Sequence, residues 1–133
     1  MIELEIEQLL VLTVDTALDN TVEVISGVPS PKQIDNLPLV VINFSSGVCD
    51  VPQMGNRLLV DITGTVMIDV LSLNKELTFT LSSEVQKALT AKLGGIYRLT
   101  LSSFKNQIDT NGAKPIYARE LTYTVKFLED YSI

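Results

Sequence analysis

Two stretches of the chain alternate between apolar and polar residues, the pattern of a β-strand with one buried face. In residues 58–71 every even position is apolar or glycine, whereas the odd positions include two Asp and two Thr. In residues 116–128 one face holds Tyr117, Leu121, Tyr123, Val125 and Phe127, and the other holds Glu120, Thr122, Thr124 and Lys126. Because side chains alternate across a strand, both stretches predict antiparallel strands with one solvated side.

Apolar residues recur every three to four positions in two other stretches, residues 2–18 and 75–93, which predicts two amphipathic helices. The first turn of the second helix stays open, because residues 77–81 also alternate like a strand. Shorter strands are predicted over 21–26, over 37–44 with Pro38 near its start, and over 96–104. This order predicts a single domain over residues 1–133 of the α+β class. We expect an antiparallel β-sheet of about four to five strands with two helices packed on one face.

The periodicities of the strands and of the first helix predict that these elements share one hydrophobic core. Gly64, in the middle of the strongest strand, predicts a bulge or bend. Residues 45–57 and 105–115 show no periodicity, and we expect loops that are mobile in a free subunit and ordered in an assembly. The predicted core is Ile6, Leu10, Val14, Val60, Ile62, Val66, Ile68, Leu121, Tyr123, Val125 and Phe127.

The composition is globular and acidic, with 46% hydrophobic residues, 20% charged residues and a net charge of −6. Its ten basic residues include no adjacent pair, which argues against a protein that grips nucleic acid. No apolar run is long enough to span a membrane, and the acidic N-terminal stretch MIELEIEQLL is unlike a signal peptide. We therefore expect a protein of the cytosol with no membrane partner.

Candidate chemistry is sparse. The chain has no histidine and one cysteine, Cys49, so an internal disulfide and the usual zinc patterns are excluded. Asp61 and Asp69 share a strand face but lie about 27 Å apart, too far for a catalytic carboxylate pair. Asn106, Asp109 and Asn111 could in principle hold a cation, although such residues usually form turns. We expect no enzymatic activity, no cofactor and no metal site.

The order of elements, together with the segments LPLVVI, DITGTVMIDVLSLNKE and YARELTYTVKFLEDY, resembles the tail terminator (tail completion) proteins of tailed bacteriophages. The resemblance covers most of the chain as a pattern of elements, and its most specific part is the last strand. It implies a structural virion protein that forms a hexameric ring at the head-proximal end of the tail. The family works through surfaces, so the resemblance supplies no active site.

The resemblance also implies partners and a location. They are other copies of the chain, a tail tube protein (with a sheath if the tail contracts) and a neck or connector protein. DNA would pass through the ring without specific binding, and the subunit would assemble in the host cytoplasm and reside in the virion. Asp61 and Asp69 would repel phosphate as acids of the lumen wall. The predicted interface residues are Met54, Arg57, Asp61, Thr63, Thr65, Asp69, Asp109 and Asn111.

Two other functions stay open at this point. One is a head–tail adaptor or stopper, which is a neighbouring layer of the neck. The other is a small-ligand carrier whose curved sheet encloses a pocket, although ligand pockets are mostly apolar and the second face of the predicted strands is rich in Asp and Thr.

Overall fold

The computed structural model describes residues 3–50, 53–54, 57–90 and 93–130. The central strand of its sheet is the stretch with the strongest alternation in the sequence. The elements in chain order are α1 (Glu3–Ala17), β1 (Glu23–Ile25), α2 (Pro31–Asp35), β2 (Leu39–Asp50), β3 (Gln53–Met54), β4 (Arg57–Ser72), α3 (Lys75–Ala88), β5 (Ile96–Asp109) and β6 (Ile116–Asp130).

The strands lie in the order β1-β2-β4-β6-β5, and the short β3 pairs with the start of β4. The pairs β2/β4, β4/β6 and β5/β6 are antiparallel. The pair β1/β2 is parallel, so the sheet is mixed at one edge, where we expected antiparallel pairing throughout. The predicted α+β class, with two helices on one face of the sheet, is confirmed.

Helices α1 and α3 cover the face of the sheet that carries the predicted core. Ten of its eleven predicted members are buried, and Ile62 is partly buried against the others. Helix α3 begins at Lys75 because Asn74 caps it: the Asn74 side chain accepts hydrogen bonds from the backbone N–H of Glu76 (2.8 Å) and Leu77 (3.2 Å). Residues 77–81 are therefore helical, and the helix ends at Ala88, before the predicted 93.

The loop predicted over 45–57 is wrong, because every described residue of that range is strand, and the loop predicted over 105–115 is confined to residues 110–115. Within 45–57, strand β2 continues to Asp50 in register with β4, and the remaining described residues form the β3/β4 hairpin. Within 105–115, strand β5 continues to Asp109 in register with β6. The physical reason is that a neighbouring strand holds a segment through backbone hydrogen bonds, whatever the pattern of its side chains.

The bulge predicted at Gly64 is also misplaced. The register of β4 with β6 runs without interruption through Gly64, and the irregularity lies in β2 between Phe44 and Ser46. The Phe44 ring lies over Gly64: a Cβ at this position would stand 2.7 Å from Phe44 Cε2 and closer still to Cζ. Gly64 therefore makes room for an aromatic ring rather than for a bend.

Helix α2 was not anticipated, although its signal is present in the sequence. Ser30 and Gln33 form a capping box around Pro31, with the Ser30 N–H donating to Gln33 Oε1 (2.8 Å) and the Gln33 N–H donating to Ser30 Oγ (3.3 Å). The segment that contains α2 is tied to β2 through reciprocal bonds between the Asn43 amide and the backbone of Gly27 (2.8 and 3.1 Å).

Candidate assembly surface

The face of the sheet opposite α1 and α3 carries four of the eight predicted interface residues, all of them in β4. We call it the polar face and define it by the residues of β4 and β6 listed below. Its pairs lie directly opposite one another across β4/β6, including Thr63 with Lys126 and Thr65 with Thr124. All nine are partly exposed. They are Asp61, Thr63, Thr65, Met67, Asp69, Glu120, Thr122, Thr124 and Lys126.

The polar face is uncovered over this region but covered at one end. Leu39 and Val41 lie on the same side of the sheet as Leu71 and Asp69, yet both are buried. Ile34 of α2 contributes there to a depression that also includes Leu71 and is about 790 Å³ in volume. The exposed part of the polar face therefore begins beyond α2.

Asp69 lies directly opposite Glu120, so two acids face each other across β4/β6. Burial raises the pKa of Asp69 from 3.8 to about 6, with further contributions from the charge of Glu120 and a hydrogen bond to its side chain. Across β5/β6, Lys105 lies directly opposite Glu120. Asp69, Glu120 and Lys105 therefore form one row across three neighbouring strands. The row thus holds two acidic side chains beside one basic side chain.

Asp61, the second candidate lumen acid, has a different environment. The phenol of Tyr97 donates a hydrogen bond to its carboxylate. This hydrogen bond is the main reason that the pKa of Tyr97 is raised above its usual value. The two acids therefore do not form one site, because each has a separate partner.

Asp109 and Asn111 lie at the tip of the β5–β6 hairpin, away from the exposed centre of the polar face. The Asp109 Oδ1 atom accepts a hydrogen bond from the Asn111 backbone N–H (2.9 Å), as in an Asx turn. The backbones of Met54 and Arg57 pair with each other at the β3/β4 turn, but their side chains lie outside the described residues. The structure thus brings Asp61, Thr63, Thr65 and Asp69 onto one face and places Asp109 and Asn111 at the hairpin tip.

Sequence reasoning missed an aromatic cluster around Arg119 on the helix side of the sheet. The Arg119 guanidinium carbon lies 4.3 Å from the centre of the Phe104 ring and 5.2 Å from that of Phe79. The Nε of Arg119 is buried and makes no hydrogen bond within the described part of the chain. Arg119 is two residues from Tyr117 and Leu121 in β6 and so shares their face, and the register of β5 with β6 brings Phe104 beside it.

A groove of about 300 Å³ lies between the end of α3 and the start of β5 and bears on the carrier hypothesis. Its volume is at the lower limit for small-molecule sites. Both polar and apolar residues line it, among them Gln86, Leu89, Arg98 and Tyr123.

The described residues contain neither a cluster suited to a metal ion nor a helix suited to a membrane span. Within the ranges described above, no three side chains of His, Cys, Asp or Glu come together as a metal site. None of the helices described is long and apolar enough to cross a membrane.

Comparison with known proteins gives a likeness of fold. No protein-family model matches the chain, and no curated protein matches it. A chain in the structure of the virion of a native gene transfer agent particle superposes with a TM-score of 0.55. The two chains are 16% identical, and the match covers 96% of this chain and 90% of the other. At this identity the match establishes a shared fold over nearly the whole chain.

Proposed function

We propose that this chain is a structural protein of a phage-like virion, and that it acts there as a ring-forming tail terminator. The observation that carries the proposal is the fold match over 96% of the chain to a component of a gene transfer agent virion. The order of elements supports the same conclusion independently, because it resembles the tail terminator family. In this role the ring caps the head-proximal end of the tail tube and joins it to the neck.

The polar face suits the inner wall of such a ring. It combines hydroxyl groups with three acids (Asp61, Asp69 and Glu120) and one lysine, Lys126, and the whole chain carries a net charge of −6. Carboxylates repel the phosphates of DNA, so a wall of this composition would let DNA pass without holding it. In this arrangement α1 and α3 lie on the outside of the ring.

The contents of the polar face also favour a structural role over an enzymatic one. Asp61 accepts a hydrogen bond from Tyr97, and Asp69 faces Glu120, so each acid is engaged by another strand of its own subunit. A ring of six copies would match a sixfold tail tube, and its closed symmetry would stop further growth. The partners of the proposed ring are therefore the tube, a neck protein and further copies of the chain.

Deleting the gene tests the function directly, with the wild-type gene supplied in trans as the control. Electron microscopy of the lysate should show headless tails of uncontrolled length beside tail-less heads filled with DNA. Heads that leak DNA together with tails of normal length would identify the chain as an adaptor or stopper instead. Normal particles would exclude a role in the neck.

Native mass spectrometry separates the ring from the carrier hypothesis. The purified chain should carry no bound small molecule and should form closed rings at high concentration or on isolated tail tubes. A stable monomer with a stoichiometric ligand would reject the structural role.

A further inference from the structure

Both edges of the sheet leave a stretch of strand without a partner among the described residues. Strand β5 pairs only with β6, so its outer edge is free along Ile96–Asp109. On the other side of the sheet, β1 covers Leu39–Val41 of β2 and leaves the rest of that edge open. The Phe44 N–H is bonded to Glu7 Oε1 (3.1 Å), so the open stretch of β2 begins at residue 45.

Free edges of this length are unusual, because unpaired backbone groups invite pairing with another chain. Strand β5 has two irregularities in its first half, between Ile96 and Arg98 and between Leu101 and Ser103, and such irregularities hinder pairing. Its second half, Ser103–Asp109, is regular and exposed. The regular half of β5 and the open part of β2 are similar in length.

The directions of the strands make these two edges compatible. Strands β2, β4, β6 and β5 alternate in direction across the sheet. A second copy placed beside the first in the same orientation therefore sets its β2 antiparallel to β5. If every copy makes this contact with the next one, the copies are arranged head to tail. Such a series closes into a ring when the rotation between neighbouring copies permits it.

We propose that copies of this chain join edge to edge, with the second half of β5 in one copy pairing antiparallel with residues 45–50 of β2 in the next. The contact rests on the proposed ring and specifies how its subunits meet. The occupant of each free edge is thus a second copy of the chain.

Strand β1 determines the register of this contact. Within one sheet, Lys105–Gln107 of β5 lie level with Leu39–Val41 of β2, through β6 and β4. In a second copy without stagger, β1 would occupy that place and collide with β5. The second copy must therefore be displaced along the strands.

The smallest displacement that clears β1 and keeps matching faces together is six residues. Through β6, Phe104 of β5 is aligned with Ile68 of β4. Cys49 of β2 pairs with Ile62, which lies six positions before Ile68 in β4. This displacement puts Phe104 opposite Cys49 of the neighbouring copy, and Asn106 opposite Gly47.

The side chains at these positions are complementary in size. Phe104 has 55% of its surface exposed on the helix side of β5. Gly47 and Cys49 are small, exposed and on the helix side of β2. With Cys49 directly opposite Phe104 and Gly47 diagonally next to it, the small side chains leave room for the ring, and the contact would cover part of its exposed surface.

Cysteine crosslinking to the native Cys49 tests both the contact and its register. Two variants, Phe104→Cys and Asn106→Cys, place a thiol on the helix side of β5. Two controls, Ser103→Cys and Lys105→Cys, place it at adjacent positions on the opposite face. Each is made with Cys49 present and with Cys49→Ser, oxidised both as concentrated purified protein and in assembled particles, and resolved on a non-reducing gel.

We expect the strongest intermolecular disulfide for Phe104→Cys, a weaker one for Asn106→Cys, and background levels for both controls. Directly opposite strand residues meet the Cα distance that a disulfide requires, whereas residues on opposite faces do not. Every crosslink should be lost in the Cys49→Ser background.

Crosslinks that persist without Cys49 would show that β5 pairs with β5, which overturns the inference. Equal crosslinking on both faces would also overturn it, since random collision has no preferred face. If native mass spectrometry or microscopy shows rings but no position crosslinks, the edge contact is wrong while the proposed function stands. If no ring forms in either preparation, the proposed function fails as well.

Discussion

Substituting Gly64 by alanine should destabilise the protein through a single neighbour, the ring of Phe44. An added Cβ would lie 2.7 Å from Phe44 Cε2 and 3.3 Å from Val125 Cγ1, so the ring has to move. The ring packs edge-on against Phe127, with centres 6.1 Å apart and an angle of 76° between the planes. The substitution therefore disturbs an aromatic pair at the centre of the sheet.

The expected cost follows from these contacts. Overpacking a buried site costs about 1–3 kcal/mol, and loss of an aromatic edge contact accounts for about 0.5–1.5 kcal/mol of this. Without the Phe44 ring the same substitution should be neutral or stabilising, because glycine within a strand costs about 0.5–1 kcal/mol relative to alanine. We therefore expect a coupling of about 2 kcal/mol between the two positions, within the range for residues in contact.

A double-mutant cycle measures this coupling. Wild type, Gly64→Ala, Phe44→Ala and the double variant are unfolded in urea and followed by far-ultraviolet circular dichroism. Gly47→Ala is the matched control, since Gly47 pairs with Gly64 and its Cβ would have an ordinary contact of 3.4 Å with Ile62. Our account of Gly64 is refuted if the substitution costs the same with and without Phe44, or if it costs no more than the control.

Four further predictions follow from the core, the polar face and the cap of α3. Ile68→Ala should lower the free energy of unfolding by about 2–5 kcal/mol because Ile68 is fully buried, whereas Leu12→Ala, at an exposed position, should change it by less than about 0.5 kcal/mol; urea melts test both. The pKa of Asp69 is about 6 in the folded protein and 3.8 in the unfolded chain, so folding takes up a proton at pH values between the two. Stability therefore falls as the pH rises through pH 4–6. Asp69→Asn should therefore stabilise the protein above pH 6 and lose this advantage near pH 4, and a pH-independent difference would contradict the assignment. Asn74→Ala should cost about 0.5–2 kcal/mol in thermal melts and Asn74→Asp much less, since Asp retains the cap. The wild-type chain should give no DNA complex in electrophoretic shifts at low salt, and replacing Asp61 and Asp69 by lysine should produce a weak, salt-sensitive one.

The sequence was sufficient where burial determines the pattern of side chains. Strands β4 and β6 are covered on one face by α1 and α3, so their alternation identified the core residues, including Val66, Ile68 and Phe127. It also placed Asp61 and Asp69 on the opposite, partly exposed face. In both cases one face of the strand meets apolar side chains and the other does not.

The sequence was insufficient where structure depends on a neighbouring strand. Residues 45–49 and 105–109 are exposed, so burial imposes no alternation on them, and only the register with β4 and β6 holds them as strands. The same register creates the pair Asp69–Glu120 from residues far apart in the chain. Helix α2, in contrast, was recognisable from Ser30, Pro31 and Gln33, and its short length led us to overlook it.

The three residues of β1 have a consequence for the dimensions of the assembly. A stagger of six residues per copy is about 20 Å along the strands, and four strands are about 19 Å wide. A closed wall with this stagger has its strands inclined at about 45° to the ring axis, at the upper end of the usual range for barrels. Six copies would contribute twenty-four such strands, more than the 16–18 that already enclose an aqueous channel. Lengthening β1 by one pair of residues beyond Ile25 would demand a larger stagger and a steeper inclination, so the bore of the ring would depend on a strand that never touches it.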